Sequence, residues 1–238
     1  TMLKKSDVNL VVLITPHNLH APQALQCLRA GRHVVVEKPM AVTTQECDAM
    51  IATAKKNGLL LSTYHNRHWD GWILEAMKQV KQQGVIGEVV RIEAHFGKRG
   101  PLRDWWRSSK KISGGILYDW GVHILEYGLQ IIDSKLVEVS GFLKSGYWAK
   151  TSKWGKDSIE DDGTIVARFA SGAMMMLNIT QIDPTPNRDW FQIIGTDGAY
   201  VFNQPEWKLI TKKDDVTTVT TGSNPPSEGH RRMETSFQ

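Results

Sequence analysis

Cysteine is almost absent: Cys27 and Cys47 are the only two in 238 residues, and each falls inside a helical pattern. Without partners at a useful spacing they exclude a disulfide framework and fit a reducing, cytoplasmic setting. Long apolar runs are missing too. No stretch reaches 18 consecutive apolar residues, so no membrane partner is expected. Nor is there a stripe of one charge. The net charge is +4, but the basic residues come as scattered pairs, among them Lys4-Lys5, Lys110-Lys111 and Arg231-Arg232. Such pairs are usually solvated faces, and no nucleic-acid partner is expected. His17-x-x-His20 and His65-x-x-His68 lack cysteine or carboxylate partners at metal spacing, so no metal site is expected either.

What is present has the composition of a globular protein, 41% hydrophobic and 23% charged, long enough for one large domain or two ordinary ones. The first third alternates short apolar runs with helical patterns. Asn9–Ile14, His33–Val36 and Leu59–Thr63 read as buried strands. Between them lie a helix with Leu19, Leu25 and Leu28 on one side and a second helix opened by the capping box Thr43-Thr44-Gln45-Glu46 and closed by Gly58. Strand–helix–strand–helix–strand with β-branched strands predicts a parallel sheet covered on both faces, half of a doubly wound domain. From His68 the pattern changes. A helix carries Trp69, Trp72, Ile73, Met77 and Val80, and a second one carries Leu117, Trp120, Ile124, Leu125, Leu129 and Ile132. Strand runs at 88–96, 136–143, 163–169, 173–180, 190–195 and 200–202, with weaker ones to Thr220, are punctuated by turns at Ser171-Gly172 and Thr196-Asp197-Gly198. Met174–Met176 is expected in the core. The predicted class is therefore α/β plus α+β: a partial Rossmann-type parallel sheet over residues 1–66, then a domain over 67–238 with a large, mostly antiparallel sheet open on one face.

In a parallel sheet, ligands lie beyond the carboxyl ends of the strands. Those ends carry Thr15-Pro16-His17-Asn18, Glu37-Lys38-Pro39 and His65-Asn66-Arg67. The second is the sharpest. Lysine before proline at a strand end has a fixed backbone direction, and a cis Lys38–Pro39 bond is plausible there. Partial desolvation loosens an ammonium's hold on its proton, so Lys38 can bond a substrate hydroxyl and stabilise alkoxide character; the bland alternative is a surface Glu37–Lys38 pair. A further constellation is Gly114-Gly115…Asp119…His123. Four residues apart, Asp119 and His123 would share one helix face, a carboxylate beside an imidazole suited to acid–base work. The glycines permit close backbone approach at the helix entry. In Arg103-Asp104-Trp105-Trp106-Arg107, aromatic faces and guanidinium groups suit sugars, or else the indoles are packing anchors.

Glu37-Lys38-Pro39, Gly114-Gly115…Asp119…His123, and the late runs Arg168-Phe169-Ala170-Ser171-Gly172-Ala173 and Ile194-Gly195-Thr196-Asp197-Gly198, in this order over essentially the whole chain, resemble the Gfo/Idh/MocA oxidoreductases. The resemblance implies a two-domain enzyme moving hydride between NAD or NADP and a hydroxyl or carbonyl of a sugar, inositol or similar polyol. It implies Lys38, Asp119 and His123 as catalytic residues and Thr15, Pro16, Asn18, His20, Glu37 and Asn66 along the nicotinamide-ribose side of the cofactor. It also implies a homo-oligomer formed through the open sheet. The alternative is a non-catalytic, dinucleotide-responsive regulator or scaffold of the same fold; within enzymes, a transient hydride step could also serve glycosidic-bond cleavage. One departure stands out: no G-x-G-x-x-G occurs, and Gly84-Val85-Ile86-Gly87 follows a helix and precedes a strand. The chain opens Thr1-Met2-Leu3 and closes on Met233–Gln238, a pattern like a first helical turn. The expectation is that a leading βαβ segment of roughly 60 residues lies ahead of this sequence, and that the fragment alone binds NAD(P) weakly or not at all.

Overall fold

The computed structural model describes residues 2–5, 7–185 and 190–227; the helical pattern expected at 233–238 lies outside them. The chain divides into two compact units, and neither is contiguous in sequence. The first comprises Thr1–His65, Pro101–Val122 and Ser145–Glu160; the second comprises Asn66–Gly100, His123–Lys144 and Asp161–Gln238.

In the first unit a helical turn, α1 (Met2–Lys5), precedes β1 (Leu10–Leu13), β2 (His33–Glu37) and β3 (Leu61–Tyr64), a parallel sheet in that order. Helices α2 (His20–Arg29) and α3 (Thr44–Asn57) bury Ala24, Leu28, Met50 and Ala54 in one cluster with Val11, Leu13, Val34 and Val36. The expected capping box forms: Thr43 accepts the Glu46 N–H and the Glu46 carboxylate accepts the Thr43 N–H. Gly58 ends α3 at φ 63°, a left-handed conformation that needs glycine. The expectation of two covered faces fails on β1, where Val12 and Ile14 are exposed. Right-handed crossovers that step across a sheet in one direction place their helices on the same side. Of the helix residues expected inward, Leu28 is buried and Leu25 partly so, whereas Leu19 is exposed.

The segments contributed by later sequence are short turns around α5 (Lys110–Ser113). Ser109 bridges to Ser158 along the backbone and donates to Asp157 Oδ2 at 2.5 Å, which joins the two segments.

The second unit holds α4 (Gly71–Met77), which runs into a π-helical turn over Lys78–Gln82, and most of α6 (Gly121–Ile131). Its strands are β4 (Val89–Gly97), β5 (Leu136–Lys144), β6 (Asp162–Phe169), β7 (Met174–Thr180), β8 (Phe191–Gly195), β9 (Gly198–Phe202), β10 (Glu206–Lys213) and β11 (Val216–Ser223). They form one sheet in the order β11-β10-β9-β8-β4-β7-β6-β5, in which only β4–β7 is parallel. Both expected hairpin turns join antiparallel neighbours, β6–β7 and β8–β9. On one face the rings of Trp72, Tyr127, Trp190, Phe191 and Phe202 pack together. The other face is open: Met174 and Met176 are exposed, and Phe142, on the same side of the sheet, is 63% exposed. The Met174–Met176 run therefore alternates as a strand must, and only Met175 enters the core. Leu129, expected on the inner side of the second helix, is also exposed.

Candidate active site

Within the first unit the carboxyl end of β2 delivers Lys38, whose bond to the buried Pro39 is cis. The lysine is largely buried and spends two N–H groups on a single residue. Its Nζ donates to Asp119 Oδ1 at 2.6 Å and to the Asp119 backbone carbonyl at 2.9 Å. Glu37, the imagined surface partner, instead accepts the Lys38 backbone N–H at 2.9 Å.

Asp119 reaches this position through a chain of local constraints. Gly114 and Gly115 take φ 94° and 127°. A Cβ on Gly115 would stand 2.7 Å from Glu160 Oε2, so the backbone there needs glycine both for its angle and for its space. Glu160, buried, accepts the Ile116 N–H at 3.0 Å and pairs with Lys110. Burial works against its charge, but Lys110 and the Ile116 N–H outweigh it and hold the carboxyl below the usual range. The 3₁₀ turn Ile116–Tyr118 follows, and Tyr118 donates to the Val42 carbonyl at 3.0 Å, which ties the turn to the loop after β2. Asp119 closes that turn.

The shared helix face expected for Asp119 and His123 is not made. Asp119 ends the 3₁₀ turn, and α6 begins two residues later at Gly121; His123 lies buried on α6 and belongs to the second unit. Gly114 and Gly115 take positive φ just before the 3₁₀ turn, and the join between that turn and α6 falls between Asp119 and His123.

Three residues outside the expected catalytic and cofactor-binding sets complete the cluster. Arg107 Nε lies 3.4 Å from Asp119 Oδ1, the same oxygen that Lys38 holds. Its guanidinium stacks over Trp106 at 4.3 Å and Trp105 at 4.9 Å. Burial disfavours the Asp119 charge, but Lys38, Arg107 and His17 together prevail and keep its carboxyl below the ordinary range. His17 is 2% exposed; its Nδ1–H donates to the Ser113 carbonyl at 2.8 Å, and its ring meets the Trp106 ring edge-on at 4.8 Å. Burial, aided by the nearby His20 and Lys38 and opposed by the Ser113 bond, lowers its pKa to about 4. Its Nε2 is buried with no hydrogen-bond partner. Glu160 is the third. Arg107 and His17 stood in clusters the sequence singled out, but their partners are remote: Ser113 is 96 positions from His17.

The remaining candidates fall into two groups. Thr15, Pro16, Asn18 and Glu37 flank the carboxyl ends of β1 and β2, partly or fully exposed. His20 is fully buried between the same strand ends, with Nδ1 facing the Pro39 carbonyl and Nε2 the Thr15 carbonyl, each at 2.8 Å. It braces the two loops against each other. Asn66 opens a 3₁₀ turn, Asn66–Trp69, in the second unit. Among the described residues no group of three His, Cys, Asp or Glu side chains is gathered as for a metal, and no helix is long and apolar enough to cross a membrane.

A dinucleotide's nicotinamide-ribose end fits the first unit's donor set. Exposed polar groups line the strand ends, and beside them the buried His17 Nε2 offers a lone pair that a hydroxyl or amide N–H would satisfy. Residues 1–65 match the model of the oxidoreductase family with an NAD-binding Rossmann fold, and residues 74–201 match the GFO/IDH/MocA C-terminal domain. The chain belongs to the Gfo/Idh/MocA oxidoreductase family.

Among its relatives, the oxidoreductase YdgJ of Escherichia coli K12 is 40% identical over 126 residues, 52% of this chain and 36% of YdgJ. The scyllo-inositol 2-dehydrogenase (NADP(+)) IolW of Bacillus subtilis 168 is 34% identical over 195 residues, 82% of this chain and 51% of IolW. The chain thus spans about half or less of these relatives. A solved levoglucosan dehydrogenase in complex with NADH and levoglucosan superposes with a TM-score of 0.76 at 25% identity, covering 96% of this chain and 65% of that one. An NAD-binding protein from Listeria innocua gives a TM-score of 0.79 at 23% identity, over 99% and 71%, and shares the fold.

Proposed function

We propose that this chain forms most of an NAD(P)-dependent dehydrogenase or reductase acting on a hydroxyl or carbonyl of a sugar, inositol or similar polyol, with Lys38 as the proton carrier. The observation that carries this reading is the Lys38–Asp119 contact. Two N–H groups of Lys38 Nζ are engaged by Asp119 Oδ1 and the Asp119 carbonyl, which leaves the third position, a lone pair in the free amine, to take the proton of a reacting hydroxyl. As the hydroxyl's C–H electrons depart as hydride, that oxygen becomes alkoxide-like and its proton passes to Lys38; in the reverse direction Lys38 returns it. The dinucleotide, when bound, supplies the hydride acceptor or donor. Thr15, Asn18 and Glu37 would line its nicotinamide-ribose side, with Pro16 and His20 shaping the loop and Asn66 contributing from the turn after β3. His123 would serve as a second acid–base group in the intact protein.

The polyol assignment draws support from the inositol and levoglucosan activities named for relatives. It also draws on Trp105, 39% exposed, with the Arg103 and Arg107 guanidinium groups over its ring, which brings aromatic surface and hydrogen-bond donors together. Self-association through the open sheet belongs to the same reading. The test is Lys38→Ala in the full-length protein: turnover should fall by about 10²–10⁴-fold, the usual weight of a proton-transfer group, while NADH or NADPH affinity, followed by fluorescence titration, stays within a few-fold. Equal loss of both would make Lys38 a cofactor anchor instead.

A further inference from the structure

Asp119 receives two cations on one oxygen, Lys38 at 2.6 Å and Arg107 at 3.4 Å, and the two are held very differently. Lys38 makes directed hydrogen bonds. Arg107 Nε is buried without a hydrogen-bond partner, so its pull on Asp119 is that of a nearby charge and not of an aligned bond. Two stacked indoles fix the guanidinium in place. A carboxylate hydrogen bond does not need a second cation to form. Its presence changes how strongly the carboxylate holds the first.

We propose that Arg107 is the positioning residue of the Lys38–Asp119 pair: clamped by Trp105 and Trp106, it shares the Asp119 charge and so weakens the carboxylate's retention of the Lys38 proton. The charged groups around the pair are few. Glu37 bonds the Lys38 backbone N–H. His17 faces Asp119 and Lys38 but stays neutral near pH 7, because burial keeps its pKa at about 4. Asp119 ionises well below neutrality. The field on Lys38 is thus that of Asp119 at its ammonium, of Glu37 at its backbone and of one fixed cation, and Arg107 is the member that distinguishes this pair from an ordinary ion pair. The inference rests on Lys38 being the proton carrier, but its consequence can be read without cofactor or turnover.

The experiment is trace labelling of this chain with acetic anhydride across pH. The extent of Lys38 acetylation is read by peptide mass spectrometry, with the remaining lysines as internal references. Arg107→Met should raise the pH midpoint of Lys38 labelling by about half a unit or more, since a neighbouring like charge has gone. Asp119→Asn should lower it, and Arg107→Lys, which keeps the charge, should leave it near that of the unsubstituted chain. Opposite signs for the Arg107→Met and Asp119→Asn shifts support the proposal. A midpoint unmoved by Arg107→Met, or moved in the same direction as by Asp119→Asn, overturns it. If the Lys38 role itself is wrong, that appears separately, as retained turnover in Lys38→Ala.

Discussion

Two acidic residues, one in each unit, show how differently a folded chain can use a carboxylate. Asp70 in the second unit is 5% exposed and fully wrapped: Tyr127 donates to Oδ2 at 2.6 Å, Arg67 to the same oxygen at 3.0 Å, and Ser227 to Oδ1 at 2.8 Å. Trp72 Nε1–H donates in turn to the Tyr127 hydroxyl at 3.2 Å. Burial, with Asp70 beside it, pushes the Tyr127 hydroxyl far above its ordinary pKa, so it remains a donor at any ordinary pH. Each of the three side chains around Asp70 serves it as a donor. Asp119 is surrounded instead by a lysine, which can exchange a proton, and by an arginine, which cannot. The first arrangement locks a helix to the segment after β11; the second, on the proposed function, leaves a proton free to move. Burial and bonding alone do not mark a site. What marks it is a partner with a choice of protonation state.

The contrast can be broken by exchanging the expected phenotypes. The largest effect belongs to Asp119→Asn in the full-length protein. Turnover should drop by about 10²-fold or more, the weight of an acid–base partner, while the melting temperature moves little because the side chain is partly solvated. A normal rate in that variant would put Asp119 in the same class as Asp70. Next is the acid limb of stability. His17 stays neutral down to about pH 4 when folded, while the unfolded chain protonates it near 6.5. Across that window the unfolded state binds more protons, so stability falls as pH falls, by about 3 kcal/mol in all. Urea titrations of the chain and of His17→Gln at pH 7 and 4.5 should differ by most of that amount. A parallel loss in both would show that His17 is not the source. The smallest effect, and the converse of Asp119→Asn, is Tyr127→Phe. It removes a bond to a buried charge and should cost about 2 kcal/mol in urea unfolding, with turnover per folded molecule retained. A collapse of rate at full stability would mean that the Asp70 network also serves the chemistry.

The parts legible in the sequence were those with short-range causes. The Thr43 box and Gly58 fixed α3 at both ends because caps are written in adjacent residues. The hairpins at Ser171-Gly172 and Thr196-Asp197-Gly198 were equally local. Lys38 and Asp119 were each visible as motifs, but their pairing was not, since no spacing rule links residues on separate turns. The helical reading of Asp119 and His123 failed because i, i+4 geometry was assumed across the join between the 3₁₀ turn that Asp119 closes and the helix that begins at Gly121. Arg107 and His17 gave only weak signals: a Trp-rich loop and a histidine after a strand look the same whether or not a third element packs on them.

The three segments of the first unit have a consequence for when the Lys38–Asp119 pair can form. Lys38 and Asp119 are separated by 81 positions, and closing a loop of that length costs about 4 kcal/mol in chain entropy. The strands of β1–β3 and helices α2 and α3 need no such closure and can assemble early, from local contacts. During synthesis, a chain can therefore show its full parallel sheet while still lacking a paired lysine. On the proposed function, catalytic competence is then a late event in folding, and recovery of activity by the full-length protein after dilution from urea should lag behind recovery of secondary structure.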